Sequence, residues 1–482
     1  MKRLPAVILL AVLVLAAALR IPQLASRPMH ADEAIQADRF GTLLETESFH
    51  YDPSEYHGPA LAIFTLPSAW IGGAQNYRQL TEVIIRLVPA FFGLLLIAMS
   101  YLIGRAVANS RAGALAASYT AVSPGMAYYS RYYIPEVLLV FSTAALLYCI
   151  VRSSQAGRVR WAILGGASVG LMFAAKETAV LAFAAVALGC VALRPRVGAR
   201  FVLTGSAAAI ATTILFYGTG AAWESLRSLA IYATRAVDPP LHAQPWHYYS
   251  GVLLQSGDGI FALLALAAVP PFLARDRTVA FLFIYAIALT AIYSVLPYKT
   301  PWCVLSFVHA WILLAALGTA RLMSSTNRKL ARIAAAVLLV LLSGQAWRYS
   351  FTLASDPRNP YVYAHTLPDV YAIHDAVENL SRNHPDGKNI PIQIFTTENF
   401  WPLPWYLREY PRVLWWRAVP GDTAAAPLIL LSPAMEDAVT SVIYERPPPG
   451  ERELYVSLFE APVWLRPGVE VRGYAALSLA RK

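Results

Sequence analysis

Residues 4–34 read L-P-A-V-I-L-L-A-V-L-V-L-A-A-A-L-R-I-P-Q-L-A-S-R-P-M-H-A-D-E-A (Leu4 to Ala34). The run starts after Lys2 and Arg3, stays apolar to Leu24 apart from Arg20 and Gln23, and then gives way to Arg27-Pro28-Met29-His30-Ala31-Asp32-Glu33. A helix that crosses a bilayer needs about 20 mainly apolar residues, with about 17 as the usual lower limit. Residues 4–24 meet that requirement, and a polar loop with two adjacent acids follows. A basic start and the Ala16-Ala17-Ala18 triplet also fit a secretory signal peptide. The reading taken is a retained helix, with Arg20 snorkelling to the outer interface.

The rest of the chain repeats the pattern. Of 482 residues, 57% are hydrophobic and 14% charged, and the mean hydropathy is +0.48. Soluble proteins carry roughly 25% charged residues, so a soluble enzyme, a disordered scaffold and a fibrous repeat are excluded. Further candidate spans are 81–104, 112–124, 137–151, 161–175, 178–193, 201–217, 252–273, 278–296, 302–322 and 333–347, which predicts about eleven transmembrane helices. With the N-terminus inside, the inner connections hold Lys2, Arg3, Arg105, Arg111, Arg152, Arg158, Arg160, Arg194, Arg196, Arg200, Arg275, Arg277, Arg321, Arg328, Lys329 and Arg332 against one acid, Asp276. The outer connections carry Asp32, Glu33, Asp38, Glu45, Glu47, Asp52, Glu55, Glu136, Glu177, Glu224, Asp238 and Asp258. Basic residues mark the cytoplasmic side, so the net charge of +10 is a topology signal with no bearing on nucleic acid. Cys149, Cys190 and Cys303 lie singly in apolar runs, which excludes a disulfide framework and a zinc site.

Composition changes near Ser350. Residues 351–482 hold twelve Lys and Arg against fifteen Asp and Glu, a net of −3 that leaves +13 for residues 1–350. Short apolar runs at 390–395 and 427–431 read as buried strands, and 369–380 reads as a helix. The expected architecture is a polytopic α-helical membrane domain over 1–350 and a small extracytoplasmic α/β domain over 351–482.

The first outer loop, 25–80, is the richest segment. Its apolar piece 60–71 is too short to span and reads as an interfacial helix. Asp32 and Glu33 precede a helical pattern over 34–44. One reading makes Asp32 an N-cap and Glu33 a partner of the helix dipole; the other makes them carboxylates that deprotonate a hydroxyl or, with Asp32, hold a divalent cation. Spans 112–124 and 137–151 have thirteen and fifteen residues, and 161–175 and 178–193 have fifteen and sixteen. Fifteen residues cover about 22 Å of a core about 30 Å thick. Arginines pin the inner ends, so Arg131, Glu136, Lys176 and Glu177 are expected in a recessed cavity open to the outside. Structural ion pairs, Lys176 with Glu177 and Arg131 with Glu136, are the competing reading. Lys299, in P-Y-K-T-P-W (Pro297 to Trp302), adds a cation, and Arg131, Lys176 and Lys299 together would clamp a phosphate. His30, Tyr56, His57, Tyr132 and Trp302 flank these charges and complete the expected substrate-binding set.

An acidic pair in the first outer loop is similar to the signature of the membrane-integral GT-C glycosyltransferases. R-P-M-H-A-D-E-A, R-L-V-P-A-F-F-G (Arg86 to Gly93) and Y-Y-S-R-Y-Y-I-P-E (Tyr128 to Glu136) resemble the dolichyl-phosphate-mannose protein mannosyltransferase-like group. Y-H-G-P (Tyr56 to Pro59), A-K-E-T (Ala175 to Thr178), K-T-P-W and W-P-L-P-W-Y-L-R (Trp401 to Arg408) bring the match closer to its prokaryotic branch, often labelled flippase-activity-associated. The resemblance implies a polyprenyl-phosphate sugar as donor, hexosyl or pentosyl transfer on the extracytoplasmic face of a prokaryotic cytoplasmic membrane, and a lipid, glycan or protein acceptor, as in protein glycosylation. It places Asp32 at the family's catalytic acidic position, Glu33 beside it and Arg131 near the donor phosphate. His57, Lys176, Glu177 and Lys299 rest on the cavity argument alone.

The alternative function is a lipid-linked glycan flippase or a non-catalytic accessory subunit. Transporters often carry two similar halves with broken helices near the midplane. No such repeat is seen and the candidate charges sit on one side, which favours the enzyme.

Overall fold

The computed structural model describes all residues except 1–3, 55–56, 157, 194–197, 239–241, 325–327, 422–423, 451 and 481–482. The chain forms two compact units. The first comprises Met1–Ala25, Thr42–Gln75 and Thr81–Tyr363; the second comprises Ser26–Gly41, Asn76–Leu80 and Ala364–Lys482. Composition suggested a division at 350/351. The units divide at 363/364 instead, and two pieces of the first loop belong with the C-terminal residues. Backbone and side-chain hydrogen bonds that link residues 26–41 to 365–406 account for this, and a compositional scan cannot register them.

The first unit is helical. Its elements are α1 (Leu4–Arg20), the end of α2 (Ala31–Thr46), α3 (Ala60–Ile71), α4 (Glu82–Val107), α5 (Ser110–Val122), α6 (Pro124–Tyr129), α7 (Glu136–Ala156), α8 (Val159–Ala175), α9 (Ala179–Leu193), α10 (Ala199–Val237), α11 (Tyr248–Ser256), α12 (Gly259–Ala268), α13 (Arg277–Val295), α14 (Val304–Leu322) and α15 (Arg328–Trp347). Every span expected from hydropathy falls on one of them except 252–273, which is broken between α11 and α12. By length and apolarity, however, six helical stretches among the described residues can cross a bilayer, and the pair α11–α12, bent by 95°, makes a seventh if counted as one span. Among the expected spans, α1, α5, α8 and α9 are short, at 17, 13, 17 and 15 residues. The expected shortness of 137–151 is corrected: α7 has 21 residues and begins at Glu136, because the polar Arg152-Ser153-Ser154 stretch continues the helix past the apolar run. The interfacial helix read at 60–71 is α3.

Helix α8 lies tightly on α10 because Gly166 and Gly170 face it. A Cβ on Gly166 would meet Gly205 O at 2.0 Å, and one on Gly170 would meet Ala209 O at 2.6 Å. Small residues one turn apart let helix backbones approach where burial of apolar surface in lipid supplies no drive. The expectation for Arg20 is overturned. Its side chain is fully buried and donates to Ala16 O, Ala121 O, Thr120 O and Ser130 Oγ. Those carbonyls near helix ends need donors, and they take the guanidinium away from the interface.

In the second unit, α16 (Asp369–Asn383) accompanies a six-stranded sheet of β1 (Ile392–Phe395), β2 (Val413–Trp416), β3 (Leu428–Leu431), β4 (Tyr455–Ser457), β5 (Val463–Arg466) and β6 (Val469–Ala476). The order is β2-β1-β3-β6-β4, with β5 also on β6. β1 runs parallel to β2 and β3, and β6 is antiparallel to its neighbours. Strands β1 and β3 are buried at every position, as unalternating apolar runs of central parallel strands should be. Phe395, Ile429, Leu431, Met435, Val439 and Ile443 form the core on one face.

Candidate functional site

The acidic pair opens α2 within the second unit. His30 is the residue before the helix, and its carbonyl accepts from Ala34 N at 3.0 Å. Its Nδ1 accepts from Asp32 N at 3.1 Å, while Glu33 Oε2 accepts from His30 N at 3.0 Å. This is the reciprocal arrangement of a capping box, with histidine in the first position. Glu33 is buried and also faces Arg27 Nη2 at 2.8 Å. The reading in which Asp32 caps the helix is therefore corrected: His30 and Glu33 do that work because Asp32 sits inside the first turn, two residues past the N-cap. Asp32 is half-buried, and its carboxylate accepts no hydrogen bond among the described residues.

The same strand of chain is fixed from the C-terminal part. Tyr406 Oη accepts from Met29 N at 2.9 Å, Thr366 Oγ1 donates to Met29 O at 2.6 Å, and His365 meets the His30 ring edge-on at 5.1 Å. Arg466, at the end of β5, is the cation whose field reaches Asp32. Burial pulls the Arg466 guanidinium below its usual range, and the charges of Asp32 and Glu398 act the other way. Its Nε is buried without a partner. In W-P-L-P-W-Y-L-R, Trp405 is fully buried under the Arg408 guanidinium, 4.1 Å from its ring centre, and Arg408 donates to Leu80 O at 2.9 Å. None of Arg27, His365, Thr366, Tyr406 and Arg466 was singled out from the sequence. Arg27 and Tyr406 lie inside two of the motifs read from the sequence, R-P-M-H-A-D-E-A and W-P-L-P-W-Y-L-R, whereas His365, Thr366 and Arg466 carry no local signal.

A second group forms in the first unit. Tyr56 lies outside the described residues. His57 Nδ1 and Glu177 Oε2 are 2.8 Å apart, and Lys176 Nζ donates to Glu136 Oε1. The structural-pair reading had coupled Lys176 with Glu177 and Arg131 with Glu136; the pairs are instead Lys176 with Glu136 and Glu177 with His57. Glu136 Oε2 and Glu177 Oε1 are buried without hydrogen-bond partners. Tyr51, Tyr217 and Tyr232, unpredicted from sequence, surround Glu177. No three His, Cys, Asp or Glu side chains converge as a metal set among the described residues.

The expected phosphate clamp does not assemble. Arg131 donates to Arg20 O, Pro22 O and Gln23 O at 2.7–3.0 Å and stacks on Phe351 at 4.4 Å. Its planar fork suits the converging carbonyls that end α1. Lys299 is buried and donates to Leu296 O and Gln244 O, at the end of α13. Tyr132 and Trp302 are likewise buried, Tyr132 in a hydroxyl pair with Tyr128 at 2.6 Å and Trp302 edge-on to Tyr129 at 6.3 Å.

The helical unit, the small C-terminal sheet and the acidic pair in the first loop define a multi-pass membrane protein with the GT-C glycosyltransferase fold. Residues 76–217 match the dolichyl-phosphate-mannose-protein mannosyltransferase family, so the resemblance carried by the motifs holds. Over 99% of each chain the fold matches the crystal structure of ArnT from Cupriavidus metallidurans bound to undecaprenyl phosphate, with a TM-score of 0.64 and 15% identity. The apo oligosaccharyltransferase of Archaeoglobus fulgidus matches with a TM-score of 0.57 and 15% identity, over 88% of this chain and 65% of that one. AglB from the same organism, in complex with an inhibitory peptide and a dolichol-phosphate, matches with 0.57 and 13%, over 90% and 70%. At these identities the likeness is one of fold. No curated protein matches the chain in sequence.

Proposed function

We propose that this protein transfers a hexosyl or pentosyl group from a polyprenyl-phosphate donor to a hydroxyl of a lipid, glycan or protein, on the extracytoplasmic face of a prokaryotic cytoplasmic membrane. The observation that carries the reading is the unspent carboxylate of Asp32. Its neighbours cap the helix and fill the ion pair, and Asp32 keeps both oxygens for a substrate. An ionised carboxylate only accepts hydrogen bonds, which suits removal of the acceptor's proton as its oxygen attacks the anomeric carbon. Support comes also from a fold shared along the whole chain with a protein crystallised with undecaprenyl phosphate. His57, Glu136, Lys176 and Glu177 are assigned to substrate contact, and Arg131 and Lys299 to structure. Were a divalent cation bound, Asp32 would be the residue to hold it, and the ion would supply positive charge to the donor phosphate.

The test uses the full-length protein in lipid nanodiscs with polyprenyl-phosphate hexoses and pentoses, following release of polyprenyl phosphate. Wild type is expected to release it, and Asp32→Asn to do so about 100-fold more slowly or worse, the common scale of acid–base catalysis. Its melting should be unchanged, since Asp32 makes no cap. An inert wild type would favour the flippase or accessory reading.

A further inference from the structure

The turn between α7 and α8 concentrates positive charge that no acid answers. From Val137 to Lys176 the sequence has no aspartate or glutamate, yet Arg152, Arg158 and Arg160 gather around the turn. Among the described residues none of the three makes an ion pair. Trp161, the third residue of α8, joins two of them. Its ring is buried, with the Arg160 guanidinium 4.6 Å and the Arg152 guanidinium 5.4 Å from its centre. Tyr148, on α7, meets the same ring edge-on at 5.6 Å. Arg152 is held from behind. Its Nη1 donates to Gln155 Oε1 at 3.2 Å, and Gln155 Nε2 donates to Ala106 O, in the last turn of α4, at 2.7 Å. Trp161 Nε1 and Arg152 Nε are buried and donate to nothing among the described residues. The start of α8 is open as well. The first amides of a helix have no carbonyl within it, and here no side chain of the preceding residue, Arg158, takes that place.

We propose that this turn binds the phosphate of an anionic phospholipid, held by Arg158, Arg160 and the open start of α8, with Arg152 across the indole. The dipole and free amides of a helix start favour an anion, and a guanidinium offers phosphate two parallel donors. Two guanidiniums on one ring repel each other, and an anion beside them replaces that repulsion with attraction. Stacking on Trp161 orients their planes in advance, so less ordering is left to binding. Buried donors without acceptors carry a cost in free energy that an entering phosphate oxygen relieves. The surroundings favour a lipid over a soluble anion. Ile163 and Leu164, 47% and 50% exposed, follow directly along α8 and offer acyl chains an apolar surface. Basic pockets at helix ends are suited to anionic head groups. The excess of arginine on one side of a membrane protein accounts for the presence of these charges. It does not require that they stack on a buried ring, or that the helix start stay uncapped.

The test is native mass spectrometry of the full-length protein in detergent, titrated with phosphatidylglycerol or phosphatidylcholine. Wild type is compared with Arg160→Gln, Arg152→Gln/Arg160→Gln, Arg152→Lys/Arg160→Lys and Arg275→Gln, each checked by melting. Wild type should hold a first phosphatidylglycerol about tenfold more tightly than phosphatidylcholine, whose choline cancels the phosphate charge. Arg160→Gln should weaken phosphatidylglycerol about tenfold, the scale of a hydrogen bond to a charged group. The double glutamine variant should lose the preference, and the lysine pair should fall between, keeping charge without the fork. Arg275→Gln removes the same charge at another helix junction and should bind as wild type does. Equal retention of the two lipids by wild type overturns the proposal. A loss in Arg275→Gln as large as that in Arg160→Gln also overturns it, since general charge then explains the binding. If the double variant does not fold, Arg160→Gln, whose side chain is exposed, decides, and an unchanged preference there overturns the site. Inorganic phosphate should compete weakly; full displacement of phosphatidylglycerol at millimolar phosphate would make the occupant a soluble anion and overturn the lipid assignment. None of these readouts uses turnover, so failure of the sugar-transfer reading leaves this inference standing, and the reverse holds too.

Discussion

Replacing Glu33 by glutamine removes the charge that Arg27 faces at 2.8 Å. The amide can still accept from His30 N, but the buried guanidinium loses the charge that Glu33 supplies. Losing one side of a buried pair costs about 3–5 kcal/mol. Glu33→Gln should therefore lower the melting temperature clearly, whereas Asp32→Asn should leave it in place and lower the rate. Thermal scans of the two variants side by side, with activity measured below both transitions, check the separation; equal melting would deny Glu33 its structural role. At this scale the sequence was legible in part. The acidic pair was visible as a pair, yet which acid serves the fold depends on the register of the first turn and on Arg27, neither of which adjacency reveals. Arg131 and Lys299 misled for a related reason. A cation near the outside resembles a phosphate ligand until the carbonyls at the ends of α1 and α13 are seen to occupy it.

At the scale of elements, hydropathy located most spans because a helix in lipid is apolar whether it faces protein or not, so the unburied α10 reads as clearly as the buried α14, and the two central strands were legible as apolar runs without alternation. Helix ends were not. The 21 residues of α7 exceed its apolar run because helix continues through polar residues that hydropathy discounts. The segment Trp401 to Arg408 left two readings open, substrate contact and packing, and the burial of Trp405 beneath Arg408 favours packing. Trp405→Ala should destabilise the second unit by about 3–5 kcal/mol, as large aromatic truncations do. Limited proteolysis would then cut residues 364–482 faster while the helical unit stays resistant. A variant with unchanged proteolysis and lost acceptor use would restore the contact reading.

For the whole molecule, the charge distribution predicts sidedness: alkaline phosphatase fused after Ser350 should be active, as an enzyme that folds outside, and fused after Arg158 inactive. The opposite pattern would invert the placement of every candidate residue. Composition divided the chain into consecutive domains, and that was its limit, since composition has no means of joining residues 26–41 to 364–482. The joining has a consequence for how the protein is made. Gly41 leaves the ribosome more than 300 residues before Ala364, and at about 5–20 residues per second that interval is roughly 15–65 s. Through that time the turn bearing Asp32 lacks Tyr406, Thr366 and His365, which hold it in the finished protein. A chain stopped short of them has made its helices and its acidic pair, yet leaves the pair unanchored. The carboxylate proposed here as the base is thus among the first polar groups synthesised and among the last set in place, and a chain terminated early is expected to lack the contacts that hold it.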